Sequence, residues 1–117
     1  MTLKACYDAI GSDYETALGR MGGSEKMLLK FAKKFPGDKT TQQLIDAFEK
    51  EDWTTAFRMA HTLKGLCLNL GLDRLLESSS ELTEALRDHV ADNAAELLER
   101  VREDYQITFD SLNALDE

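Results

Sequence analysis

The sequence predicts an all-α protein, an up-down-up-down four-helix bundle with short N-terminal helices packed across it. One proline in the whole chain, Pro36, and few β-branched runs leave little room for a sheet. Every substantial segment repeats its apolar residues at helical intervals. The links between the longer segments, Glu51-Asp52, Leu70-Gly71 and Val90-Ala91, are short enough to force consecutive helices antiparallel.

A first short helix is expected through Leu3 to Ile10, ended by Gly11. Ser12 followed by Glu15 spells a capping box and starts a second, which ends near Gly22-Gly23. Ser24 caps a third, with Met27, Leu28, Phe31 and Phe35 as its apolar side and Pro36-Gly37 as its stop. Four longer helices follow at approximately 38–50, 52–69, 72–89 and 92–115. Leu44, Ile45 and Phe48 mark the apolar side of the first of these. Leu72, Leu75, Leu76, Leu82 and Leu86 mark the third, and Leu97, Leu98, Val101, Thr108 and Leu112 the last. Within 72–89, the run Ser78-Ser79-Ser80 is read as close helix packing at Ser79 with its neighbours solvated. No repeat, low-complexity tract or linker divides the chain, so residues 1–117 are read as one domain with one modest core.

Composition narrows the function classes. With 43% hydrophobic and 31% charged residues the chain is a folded globular protein rather than a disordered one. A net charge of −8 argues against nucleic acid and against a polybasic membrane contact, since both partners demand surplus cations. Cys6 and Cys67 form no metal-type spacing, and Cys67 sits in an apolar helical run as a reduced, buried thiol. No stretch approaches the roughly 18 apolar residues of a membrane span. Asp8 and Asp13 fall where a signal peptide needs an apolar block, so the expected location is the cytoplasm.

The informative segment is Asp52 to Gly71, DWTTAFRMAHTLKGLCLNLG. Asp52 suits an N-cap, and Gly71 the left-handed residue that closes a helix. With His61 at zero on a wheel of about 100° per residue, Ala56, Met59, Ala60, Leu63, Leu66, Cys67 and Leu70 fill one continuous apolar arc. His61 points away from that arc, into water. Thr54, Phe57, Lys64, Gly65 and Leu68 lie within about 60° of it. Lys64 and Gly65 neighbour the histidine across one turn. A glycine inside a helix costs about 1 kcal/mol relative to alanine, and close approach by another molecule would compensate. Phe57 and Leu68 either form a docking surface beside the histidine or tuck under an N-terminal helix.

An ordinary imidazole is substantially neutral near pH 7, and its free nitrogen is a competent nucleophile toward phosphorus. Lys64 can pair with phosphoryl oxygens as a point charge. No carboxylate lies one turn from His61 on this helix to repel an incoming dianion. The chain lacks a Gly-rich phosphate loop, a Walker spelling and a kinase signature, so it suits holding a phosphoryl group rather than starting the chemistry.

Residues 60–71, AHTLKGLCLNLG, closely resemble the His-x-Leu-Lys-Gly…Gly signature of histidine-phosphotransfer (HPt) domains of multistep phosphorelays. Tyr14 to Leu28 is similar to the family's opening helix and Gly-Gly turn, and Phe48 to Trp53 to its approach to the active-site helix. The resemblance covers about residues 12–88; the last helix matches only in length and periodicity. It implies that His61 is phosphorylated by a receiver-domain aspartate and passes the group to another receiver. It further implies that Lys64 supports the phosphate, and that Gly65 gives the receiver room. The implied partners are receiver domains of response regulators or hybrid sensor kinases, and the receiver would supply the divalent metal, so no cofactor is expected here. Family members often place a glutamine near the position of Thr83 to bond the imidazole; a threonine there is the orienting candidate, with shorter reach.

Other readings are weaker. His89 beside Asp88 reads as an exposed charge or cap. Neither histidine has a glutamate three residues before it, so a di-iron bundle is excluded and a zinc site is poorly served. The surviving alternative is a helical adaptor that binds receiver-like partners through the Phe57–His61–Leu68 face without being phosphorylated. A monomer suffices for either role.

Overall fold

The computed structural model describes residues 1–116 and contains seven α-helices, with no strand among those residues. They are α1 (Leu3–Ala9), α2 (Tyr14–Arg20), α3 (Glu25–Lys34), α4 (Thr40–Glu49), α5 (Trp53–Leu70), α6 (Asp73–Leu86) and α7 (Ala94–Leu112), with a 3-10 turn at Phe35–Gly37 between α3 and α4.

Caps explain most of the boundaries. Ser24 Oγ accepts the Met27 N–H at 3.2 Å, and Asp52 Oδ1 accepts that of Thr55 at 3.2 Å. The expected cap of α2 is corrected by one residue. Asp13, not Ser12, accepts the Glu15 N–H at 3.0 Å, and it also takes the Thr16 hydroxyl at 3.1 Å. Ser12 is turned inward, where its Oγ accepts the Asp73 N–H at 3.1 Å. There it caps α6, whose own N-cap residue, Leu72, has no side-chain acceptor. Asp73 Oδ2 in turn accepts the Asp13 N–H at 3.4 Å, so two distant segments exchange capping bonds. Helix α6 stops at Leu86, short of the expected 89.

The long helices pack in chain order, α4 on α5, α5 on α6 and α6 on α7, with a lighter contact between α4 and α7. Leu44, Leu63, Leu75, Leu82, Val101 and Leu112 on these helices are buried. Helix α1 lies against α7, while α2 and α3 touch α5. Two expectations fail in this packing. On α3 the buried residues are Leu28 and Ala32, continued by Phe35 in the 3-10 turn, while Met27 and Phe31 remain 47% and 38% exposed because α3 meets the other helices along one narrow side. On α6 both Ser78 and Ser79 are buried, each satisfied by a carbonyl of its own helix.

The N-terminal helices secure the C-terminal end of α5. Tyr7 Oη donates to the Leu70 carbonyl at 2.6 Å, satisfying one of the acceptors that a helix end leaves unpaired. Gly71 closes the helix with φ of 68°, and a Cβ built there would lie 2.8 Å from Ala17 Cβ on α2. Both cysteines are buried, and the Cys6 thiol donates to the Ser111 carbonyl at 3.2 Å. No helix among the described residues is long and apolar enough to cross a membrane.

Gly71→Ala combines a left-handed alanine with an overpacked contact, so it should lower unfolding free energy by about 2–4 kcal/mol. Urea denaturation measures this, and a change within experimental error would contradict the close approach. Burial raises both the Tyr7 phenol and the Cys67 thiol above their ordinary values of 10.0 and 9.0. Groups raised on folding stabilise below their unfolded pKa, and that contribution is lost as pH rises past it. Stability should therefore decline above about pH 9, and Tyr7→Phe should flatten the part of that decline above about pH 10.

Candidate functional site

Helix α5 presents two distinct sides. Ala56, Ala60, Leu63, Cys67 and Leu70 are buried, and Met59 and Leu66 are half-buried at the margins of that arc. His61 is exposed, as the helical wheel requires. Lys64, one turn on, is half-buried. Leu68 is 40% exposed, so it does not tuck under an N-terminal helix. Nothing lies within 4 Å of a Cβ built on Gly65, so the chain's own packing gives no reason for a glycine there. The gap opens outward.

The imidazole is braced from one side. The half-buried Phe57 ring lies 6.2 Å from it, centre to centre, at an interplanar angle of 21°. The Arg87 guanidinium, just past the end of α6, sits 5.3 Å from the centre of the Phe57 ring. Arg87 also grips Glu84 with two bonds, Nη2 to Oε1 at 2.8 Å and Nε to Oε2 at 3.1 Å. These bonds, the largest influence, hold the Glu84 carboxyl below the ordinary carboxylate range, with desolvation opposing them. The charges of Arg87, Lys64 and His61 push it the same way, which places Glu84 in the field of the histidine and its lysine.

Thr83 does not serve as the orienting residue. It is fully buried, and its hydroxyl donates to the Ser79 carbonyl at 2.7 Å within α6, so its proton is committed away from His61. Thr83 falls near the inward register of Leu75, Ser79, Leu82 and Leu86, a register visible in the sequence. Glu84 and Arg87 lie outside what α5 encodes because they come from a neighbouring helix, although an acid and a base three residues apart are visible in the sequence. His89 is exposed in the connection between α6 and α7. Among the described residues no three His, Cys, Asp or Glu side chains gather as a metal site.

A family model described as "Hpt domain" matches residues 37–110, more than half of the chain. The chain belongs to the Hpt domain family. No curated protein and no solved structure matches it. The Hpt match begins in the 3-10 turn before α4 and takes in α4, α5, α6 and most of α7. It thus takes in most of α7, which the resemblance over 12–88 does not reach, and it leaves Tyr14 to Leu28 outside. Hpt domains are phosphocarrier modules of phosphorelays that interact with receiver domains, and they are not kinases.

The Glu84–Arg87 pair yields a direct test. Arg87→Gln should move the Glu84 carboxyl titration upward, read from its side-chain 13C shift against pH. An unmoved titration would show that the two groups do not pair in solution.

Proposed function

We propose that this Hpt domain accepts a phosphoryl group from a receiver aspartate onto His61 and passes it to a second receiver. The observation supporting this most is the exposed imidazole with Lys64 and the open space at Gly65 within one turn. The pairwise packing of α4 to α7 favours an up-down-up-down four-helix bundle as the scaffold.

In the forward step the unprotonated ring nitrogen attacks phosphorus in line with the bond to the aspartate oxygen. A nitrogen–phosphorus bond forms, the phosphorus–oxygen bond breaks, and the aspartate leaves as a carboxylate. The reverse sequence delivers the group to the next aspartate. Lys64 pairs with the phosphoryl oxygens, and the receiver contributes the divalent cation. Phe57 restrains the imidazole. Arg87 neutralises Glu84, whose free charge would otherwise repel the arriving dianion. Gly65 and Leu68 offer a gap and an apolar contact to the docking receiver. The proposed setting is the cytoplasm, with the domain acting as a monomer.

Incubation with a phosphorylated receiver should place an acid-labile, base-stable label on the protein, and His61→Gln should abolish it. Label persisting in His61→Gln would refute the site; no label from several receivers would favour an adaptor that docks without chemistry. Lys64→Ala removes one charge-assisted contact of about 1.5–3 kcal/mol. Rapid-quench measurement should find transfer slowed by about ten- to a hundredfold.

A further inference from the structure

Helix α3 grades around its circumference in three strips. Leu28 and Ala32 face the core with Phe35 just beyond them. Met27 and Phe31 border them, exposed. Lys26, Lys30, Lys33 and Lys34 occupy the next strip, within about 100° of one another on the wheel. Four lysines on one helix contrast with a chain whose net charge is −8. None of the four forms an ion pair among the described residues, and Lys34 Nζ instead lies 6.0 Å from the centre of the Phe31 ring.

Beside this strip a groove of about 560 Å³ runs between α3 and the C-terminal part of α5. Met21, Phe31, Phe35, Leu66 and Leu70 give it an apolar lining, and Arg20 and Lys34 supply cations. Its one carboxylate, Asp38, is engaged, since Oδ1 accepts the Thr40 N–H at 2.8 Å at the start of α4. The groove includes Asn69, two turns of α5 beyond His61, and none of its lining residues belongs to the His61–Phe57–Arg87 cluster.

We propose that this groove is a second docking surface, whose occupant is an acidic protein segment carrying an aromatic or aliphatic anchor. The anchor fills the apolar lining while carboxylates meet Arg20, Lys30 and Lys34. A membrane is disfavoured because a flat lipid surface does not reach a concave floor. A short acidic segment brings its carboxylates to Arg20, Lys30 and Lys34 alone, whereas a second copy would set its whole charge of −8 against this chain. The proposal stands independently of His61 phosphorylation.

The probe is a fluorescein-labelled peptide of about twelve residues, glutamate-rich with Phe and Leu at helical spacing. It is titrated into the full-length protein by fluorescence anisotropy and followed by 15N amide shifts. Saturable binding should shift Met21, Phe31, Leu66 and Asn69. It should weaken roughly tenfold in Lys30→Glu/Lys34→Glu, and again as salt rises from about 0.05 to about 0.5 M. Phe31→Ala should weaken binding while leaving its salt dependence. These side chains are exposed, and circular dichroism melts verify that each variant is folded. The proposal is overturned by equal binding of a lysine-rich counterpart, by shifts confined to the surroundings of His61, or by no binding at about 1 mM peptide. Binding of phosphatidylserine vesicles without the peptide, or self-association lost in the charge-reversal variant, would reassign the groove.

Discussion

Helix α5 is covered on part of its circumference only, and the remaining geometry follows from that limit. Its neighbours α4 and α6 pack most heavily on it, Ala56, Ala60 and Leu63 are buried, and α2 and α3 reach it from the N-terminal region. Gly71 and Leu70, at its end, are the residues that meet Ala17 and Tyr7. The middle of the helix is left bare where His61 stands. A bundle with one more long helix over α5 would gain apolar burial but enclose the imidazole. The short N-terminal helices fasten the end of α5 without shading its centre.

Around that bare strip the protein balances charge. Four groups lie in series, Glu84, Arg87, Phe57 and His61, joined by a bidentate ion pair, a cation over a ring and two nearly parallel rings. Each link is weak at an exposed surface. Together they narrow the orientations of the imidazole without a hydrogen bond from Thr83. In the proposed phosphoryl transfer an unpaired carboxylate near His61 would repel the incoming dianion, and Arg87 pairs with Glu84.

The sequence was most legible where one helix encodes its own answer. The exposure of His61, the inward set from Ala56 to Leu70 and the stop at Gly71 all follow from a single 3.6-residue period and one left-handed position. Legibility failed where two segments share a task. Ser12 has the spelling of a local cap, yet it serves α6, because Asp13 stands one residue nearer and accepts from both Glu15 and Thr16. Position in the chain suggests Thr83 beside the histidine, whereas its register turns it into the core. Phe31 and Met27 counted as apolar in a pattern, but a short helix touching the bundle along one side cannot bury them all.

The exchange between Ser12, Asp13 and Asp73 has a kinetic corollary. The pairs α4–α5 and α5–α6 close through residues 50–52 and 71–72 alone, so those contacts are local in the chain. The N-terminal clasp bridges about sixty residues of chain, and it has nothing to grip until the α5–α6 corner exists. By loop-closure entropy the clasp is the costlier contact to form, and it holds the junction between the helix bearing His61 and the helix whose far end leads to Glu84 and Arg87.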